Sequence, residues 1–425
     1  MKLFPWLAAC TIAGSLAGSP VWGQPAASPD GHQVAVPSAN FHVTGGVTLP
    51  AALDAAWQRA VAARLSDGQR RSAEADGAAA TSFWAAPPSL ELSYRDDRLH
   101  ANAGRRETEI GLTVPLWLPG QRTARASTSD SAVAQAMAAQ QVARLRLAGE
   151  LRETAWQIAA MQAEAAQADT HTRSLKQLAD DVDRRVRAGD LALADGLAAQ
   201  AEHLAASALQ AEVRQRHQAA HLRWTLLTGL NALPDLTAAS AIDPASDSAL
   251  LHPELLLARL SSELARKRVA LLRYAQRDQP ELILGLRHDV PGRAEASQGS
   301  LIVGLRMPFG TDDRNRPLEA AALADLEVAQ TYEQRLLERV HSDVAAARDA
   351  QQSAQGQLES ETARARLLRE RAILIDTSFR AGETPLPDLL RARAAAAQAA
   401  SATARQSAAL GLARARFQQT LGLLP

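Results

Sequence analysis

Aligned against itself at an offset of 193 residues, the chain repeats its own punctuation. Gly111-Leu112 meets Gly304-Leu305, and Pro115 meets Pro308. Arg187-Ala188-Gly189-Asp190 meets Arg380-Ala381-Gly382-Glu383, Asp195 meets Asp388, Trp224 meets Phe417, and Gly229-Leu230 meets Gly422-Leu423. Agreement in one register from Gly111 to Leu230 is not what helical low complexity produces, so the chain is a tandem duplication. The fold must therefore be buildable twice from one plan. The copies run over 48–230 and 252–425, and the segment between them, 231–251, has the Pro, Ala, Ser and Asp content of a linker.

Each copy carries two segments with a period of two. In the first, Leu90, Leu92 and Tyr94 alternate with Ser89, Glu91, Ser93 and Arg95. Ile110, Leu112 and Val114 then alternate with Glu109, Gly111 and Thr113. In the second, Leu282, Leu284 and Leu286 are followed by Leu301, Val303, Leu305 and Met307 at the same spacing, with Ile283 breaking the polar row. The pattern predicts strands at about 89–95, 108–116, 281–288 and 300–308, each with one apolar and one polar face. Such strands fit a transmembrane barrel with lipid outside and a wet lumen, or a soluble hairpin half buried on a helix. The placement of Trp84, Trp117, Tyr274 and Phe309 at one end of the two hairpins fits an interfacial girdle and favours the barrel. Four strands cannot close one, since the smallest have about eight; several chains must share it.

Between hairpin and midpoint of each copy runs a long helical tract. The first, from Gln121 to about Val186, holds no proline; its partner runs from about Pro317, a residue suited to a helix's first turn, to Phe379. At 1.5 Å per residue each is roughly 100 Å long. Helices from about Leu191 and Pro385 then return, giving helical hairpins over 121–228 and 317–422. Aromatics are only 4% of the chain. Seams of small residues, such as Ala132, Ala136, Ala139 and Ala143, can pack such helices without bulky cores. The turns at Gly189 and Gly382 carry the sharpest local signal. Each glycine can cap a helix in the left-handed conformation, with Thr384 and Pro385 placed as N-cap and first residue of the returning helix. Each returning helix then presents an acid, Asp195 or Asp388.

The remaining composition excludes classes. With 46 Lys plus Arg against 46 Asp plus Glu, the chain lacks the basic field of a nucleic-acid binder. A single cysteine, Cys10, rules out a disulfide framework or thiolate cluster. Residues 1–23 read as a secretory signal, followed by a linker over 24–47; Leu7-Ala8-Ala9-Cys10 also fits a lipidation box. No phosphate loop, dinucleotide fingerprint or Ser-His constellation is present, so no catalytic residue, cofactor or enzyme activity is expected. His217 and His221 stand i, i+4 on a helix, but no third ligand accompanies them and no metal site is expected.

In its duplication, strand pairs, Val114-Pro115-Leu116-Trp117 and Met307-Pro308-Phe309 ends, paired Arg-Ala-Gly turns and His252-Pro253-Glu254-Leu255 phrase, the chain resembles the TolC-like outer-membrane factors, from Thr48 to Leu424. The resemblance implies a mainly α fold with a small transmembrane β part. Three chains would each give four strands to a 12-stranded outer-membrane barrel and four helical strands to a periplasmic tunnel. It also implies a periplasmic adaptor protein and an inner-membrane pump of the resistance-nodulation-division type as partners. By the same resemblance the tips, with Arg187, Gly189, Asp190, Asp195, Arg380, Gly382 and Glu383, face the adaptor. Asp388 would contribute to an acidic ring at the entrance; Arg391 stands where the family archetype has a second acid, and Asp388 can instead pair with Arg391 or Arg393. The run Pro115–Arg122 and the phrase Asp313-Arg314-Asn315-Arg316 look most like the heavy-metal (cobalt-zinc-cadmium) branch. Multidrug efflux, type I protein secretion and a periplasmic coiled-coil scaffold are the alternatives.

Overall fold

In a computed structural model the described residues are 46–99, 102–236 and 252–425. The signal, Cys10 and most of the 231–251 linker lie outside them.

The chain order is β1 (Val47–Thr48), α1 (Leu49–Arg59), α2 (Val61–Thr81), β2 (Ser89–Asp96), β3 (Arg106–Pro115), α3 (Gln121–Ala188), α4 (Leu193–Thr228), β4 (Pro234–Asp235), α5 (Pro253–Leu272), β5 (Glu281–Val290), β6 (Gln298–Arg306), α6 (Asp312–Arg380) and α7 (Leu386–Thr420). The architecture is mainly α with a small antiparallel sheet, as expected. The two copies superpose on the 193-residue offset almost element for element. The first residues of α4 and α7, Leu193 and Leu386, are equivalent positions.

Strands β2, β3, β5 and β6 form one open antiparallel sheet in that order. Below it α2, α3, α5 and α6 pack in the same order as the strands they continue, and further down α4, α3, α7 and α6 do so. The described part of each chain is thus four strands running into four helices, with neither lateral edge covered by the described residues. Helices of 68 and 69 residues, α3 and α6 are each about 100 Å long at 1.5 Å per residue.

Among the described residues three apolar clusters hold this slab. At mid-height, Trp224 is fully buried among Leu53, Leu151, Ala155 and Ile158, and its indole N–H donates to the Ala232 carbonyl at 2.9 Å. Arg152, 3% exposed, donates to the Leu423 carbonyl at 2.9 Å and to Gln419, tying the end of α7 to α3. Burial alone pushes its guanidinium down to about 10. Nearby, Gly411 lets α7 approach Trp156 of α3 so closely that a Cβ there would lie 2.1 Å from the ring. Gly411→Ala should therefore cost about 1–3 kcal/mol through overpacking, despite alanine's better helix propensity. Thermal melting followed by circular dichroism at 222 nm would show a lowered midpoint; an unchanged one would mean that the indole moves aside freely.

Two boundary expectations are corrected. Pro317 is inside α6, not at its start: the helix begins five residues earlier, with Asp312 and Asp313 in its first turn facing the partial positive charge of the N-terminus. The N-cap of α7 is Pro385, not Thr384, and the first helical residues are Leu386 and Pro387. Thr384 instead shares a 2.6 Å hydrogen bond with the Ser378 hydroxyl across the turn.

Candidate functional site

The sheet's register sorts its side chains into two faces. On one, Val114, Leu282 and Leu305 share a row; the next holds Leu90, Leu112, Leu284 and Val303, and the next Leu92, Ile110, Leu286 and Leu301. Nearly all of these are exposed; Leu90, Leu92 and Leu301 are 70% or more so. A monomeric soluble domain rarely leaves so continuous an apolar surface in water. The opposite face carries Ser89, Glu91, Ser93, Arg95, Glu107, Glu109, Thr113, Glu281, Arg287 and Asp289 with Gly111, Gly285 and Gly304. Ile283 and Ile302 are its only large apolar groups, packed over Gly304 and Gly285. Charges on this face pair across strands, Arg287 with Glu107 at 3.1 Å and Arg306 with Glu281 at 2.9 Å. Among the described residues no helix is long and apolar enough to cross a membrane.

Trp84, Trp117, Tyr274 and Phe309 all fall at the helix-side end of this sheet. The Trp117 indole donates to the Ser82 carbonyl at 3.1 Å, with Arg125 above its ring at 5.9 Å. The Tyr274 ring lies against Gly120, whose φ of 79° only glycine adopts without strain. Phe309 is 85% exposed. Phe83, which the sequence reading passed over, stacks edge-on against Trp84 at 4.5 Å at the same end of the sheet. At the far end Tyr94 is an exposed aromatic on the apolar face. Its place after Leu90 and Leu92 in the alternation was the available signal.

At the other end of the molecule the two helical hairpins turn through matching glycines. Gly189 and Gly382 have φ of 86° and 81°. In each turn the glycine N–H returns to the carbonyl three residues back, Val186 or Phe379. The next residue, Asp190 or Glu383, bonds to the carbonyl five back, Arg185 or Ser378. These are Schellman caps. Arg187 pairs with Asp183, and Arg380 with Asp376 at 2.8 Å. Asp195 and Asp388 occupy the same third position of α4 and α7, where a carboxylate favours the helix dipole. Arg391 donates to Asp388, so within one chain the acid is already paired, as the alternative reading of the sequence had it. Arg393 does not join that pair. It binds Asp376 on α6 and donates to the Ser174 carbonyl and hydroxyl of α3 at 3.3 and 3.2 Å. Beneath it Leu175, Leu178, Val182, Phe379, Leu386 and Leu389 form one apolar cluster shared by both hairpins, with Arg185 over the Phe379 ring at 5.3 Å. No sequence signal brought Ser174, Asp376 and Arg393 together.

His217 and His221 share a face of α4. The His221 imidazole Nε2 is 3.0 Å from the Asn231 carbonyl, while burial and the neighbouring His221 lower the pKa of His217. No group of three or more His, Cys, Asp or Glu side chains among the described residues is placed to hold a metal ion.

No family description and no curated protein matches this sequence. Solved structures do match over nearly the whole chain. The Campylobacter jejuni CmeC outer membrane channel is 15% identical and covers 95% of this chain and 94% of its own, with a TM-score of 0.70. CusC, described for its folding and transmembrane channel formation, is 16% identical over 90% and 95%, with a TM-score of 0.75. The outer membrane protein VceC from Vibrio cholerae is 15% identical over 88% and 96%, with a TM-score of 0.69. The fold is therefore that of the TolC-like outer-membrane channels.

Proposed function

We propose that this chain is one subunit of an outer-membrane channel that serves as the passive exit duct of an efflux system. The observation that carries the reading is the pairing of an exposed apolar sheet face with helices roughly three times as long as a hydrocarbon core is thick. A sheet with lipid on one face and water on the other must close, because unpaired strand edges do not persist in hydrocarbon. Strands β2 and β6 are those edges, and they run antiparallel, so the β6 of one copy can pair with the β2 of the next. Three copies would give the 12 strands and 12 helical strands of a closed tube. Exposed Leu197, Leu204, Leu222 and Leu226 on α4, and Val328, Leu367 and Leu374 on α6, would line the same seams. The tips around Gly189 and Gly382 would meet a periplasmic adaptor, which couples the duct to an inner-membrane pump. Asp388 and Arg391 would stand near its entrance.

Heavy-metal cations are the cargo we assign, on the wording of Pro115–Arg122 and Asp313–Arg316; the assignment rests on those residues alone. Two measurements test the two levels separately. Reconstituted in a planar bilayer, the purified protein should open discrete conductance steps, and their absence would sink the channel. A strain lacking the gene should lose tolerance to Co, Zn or Cd; unchanged metal tolerance with lost drug tolerance or lost polypeptide export would replace the cargo but keep the duct.

A further inference from the structure

The apolar face of the sheet does not simply end at its far edge; its chemistry changes row by row. Beyond Leu92, Ile110, Leu286 and Leu301, the next row on that face is Tyr94, Thr108 and His288, and the one after is Asp96, Arg106 and Val290. The Tyr94 hydroxyl donates to Asp96 Oδ2 at 2.9 Å. The turn after β2 folds back so that the Arg98 backbone N–H donates to Asp96 Oδ1 at 2.8 Å and its guanidinium Nε lies 3.1 Å from Oδ2. Arg106, exposed in the same row, also acts electrostatically on this carboxylate. Two guanidinium groups thus share one acid and leave a positive surplus. At the same height the opposite face carries no such surplus: Arg95 and Arg287 stand among Glu107, Glu109 and Asp289, with Arg95–Glu107, Arg287–Glu107 and Arg287–Asp289 separations of 3.1 to 3.8 Å.

The surplus therefore sits on the lipid side alone. Arg106 is four residues beyond Ile110, about 13 Å along a strand at 3.3 Å per residue. That distance carries it from the last apolar row into the head-group layer, where arginine stems lie along apolar surface and the charge reaches anionic oxygens. A guanidinium holds phosphate in a two-pronged geometry that an ammonium cannot match. We propose that Tyr94, Arg98 and Arg106 form a docking surface for an anionic, phosphate-bearing lipid head group at the end of the sheet away from the helices. The proposal rests on the sheet being membrane-embedded.

The test uses the purified full chain in neutral detergent, with phosphatidylglycerol as the probe and retained lipid counted by native mass spectrometry. Two arginines near an anionic surface are together worth roughly a 30-fold change in affinity. Arg98→Gln with Arg106→Gln should lose that much, while Arg95→Gln, which removes one positive charge from the wet face, should bind as the parent does. Equal retention by the parent and the double variant would overturn the proposal, as would equal loss in Arg95→Gln. Retention of phosphatidylcholine as strong as phosphatidylglycerol would mean that apolar contact alone holds lipid. Displacement of the lipid by millimolar inorganic phosphate would assign the groups to a free anion instead. Flotation with phosphatidylcholine vesicles separates this from the underlying reading. Parent and double variant should both float; if neither does, it is the membrane reading that fails.

Discussion

Val303→Arg should keep the protein from assembling stably in a membrane, whereas Ser300→Arg, three residues away on the same strand, should not. Val303 lies in the middle of three apolar rows, paired with Leu284, and is 65% exposed on the face assigned to lipid. Ser300 pairs with Arg287 on the wet face. An arginine at the midplane of an outer-membrane barrel costs about 2–4 kcal/mol, while lumen positions accept charge. Each assembled ring would carry the penalty once per subunit, so the effect multiplies in any closed oligomer. The readout is the membrane-bound fraction after an alkaline wash, together with the heat-resistant oligomer on a gel. Equal behaviour of the two variants would mean that both faces meet water, and the soluble-hairpin alternative would be restored.

The same contrast explains what could be read in the sequence. A strand's period of two is imposed by backbone geometry, so the alternation at Leu90-Leu92-Tyr94 or Leu301-Val303-Leu305 announced both the strands and their faces. The strand ends were less legible, because Arg106 and Glu107 look like loop but continue the ladder opposite Asp96 and Arg95. Glycines in left-handed turns were equally visible, since few other residues tolerate that conformation. Contacts between distant helices were not. Arg152 looks like any charge on a long polar helix; only the arrival of Gln419 and Leu423 from the end of the chain buries it. Arg393 meets Ser174 across 219 residues, with nothing in either neighbourhood to point at the other. Pro317 misled for a different reason. A first-turn rule for proline competed with first-turn acids at Asp312 and Asp313, and the acids mark the true start, leaving a proline in the second turn with no N–H to offer Asp313. The balance of 46 acids and 46 bases acquires a structural meaning here, because many of them form pairs along helices, between helices or across strands, from Arg70–Glu74 within α2 to Arg416–Glu153 between α7 and α3.

If the chain is the duct subunit proposed above, Gly382→Pro should uncouple it from its partners without dissolving the oligomer. The backbone at Gly382 has φ near 81°, and proline is held near −65°. The substitution would also delete the N–H that bonds to the Phe379 carbonyl at 3.0 Å. Forced out of its cap, the turn would release Glu383 from Ser378 and unwind the last residues of α6, beside the Phe379 and Leu386 cluster that joins both hairpins. The local cost is about 3 kcal/mol or more. Gly382→Ala keeps the N–H and pays only the left-handed penalty, about 1–2 kcal/mol. Gly356→Ala supplies the opposite sign: that glycine is inside α6 with open space where a Cβ would go, so the change should stabilise by about 0.5–1 kcal/mol. The β2 and β6 seam and most of the length of α4 and α6 lie far up the molecule from this turn, with only the lowest seam residues, such as Leu374, near it, so gel mobility of the oligomer should survive all three changes. Export should fall in the order Gly356→Ala, Gly382→Ala, Gly382→Pro if the tip is where a partner docks. Full export by the proline variant would show that the partner grips the helices elsewhere, and the assignment of Arg380, Gly382 and Glu383 as docking residues would be lost.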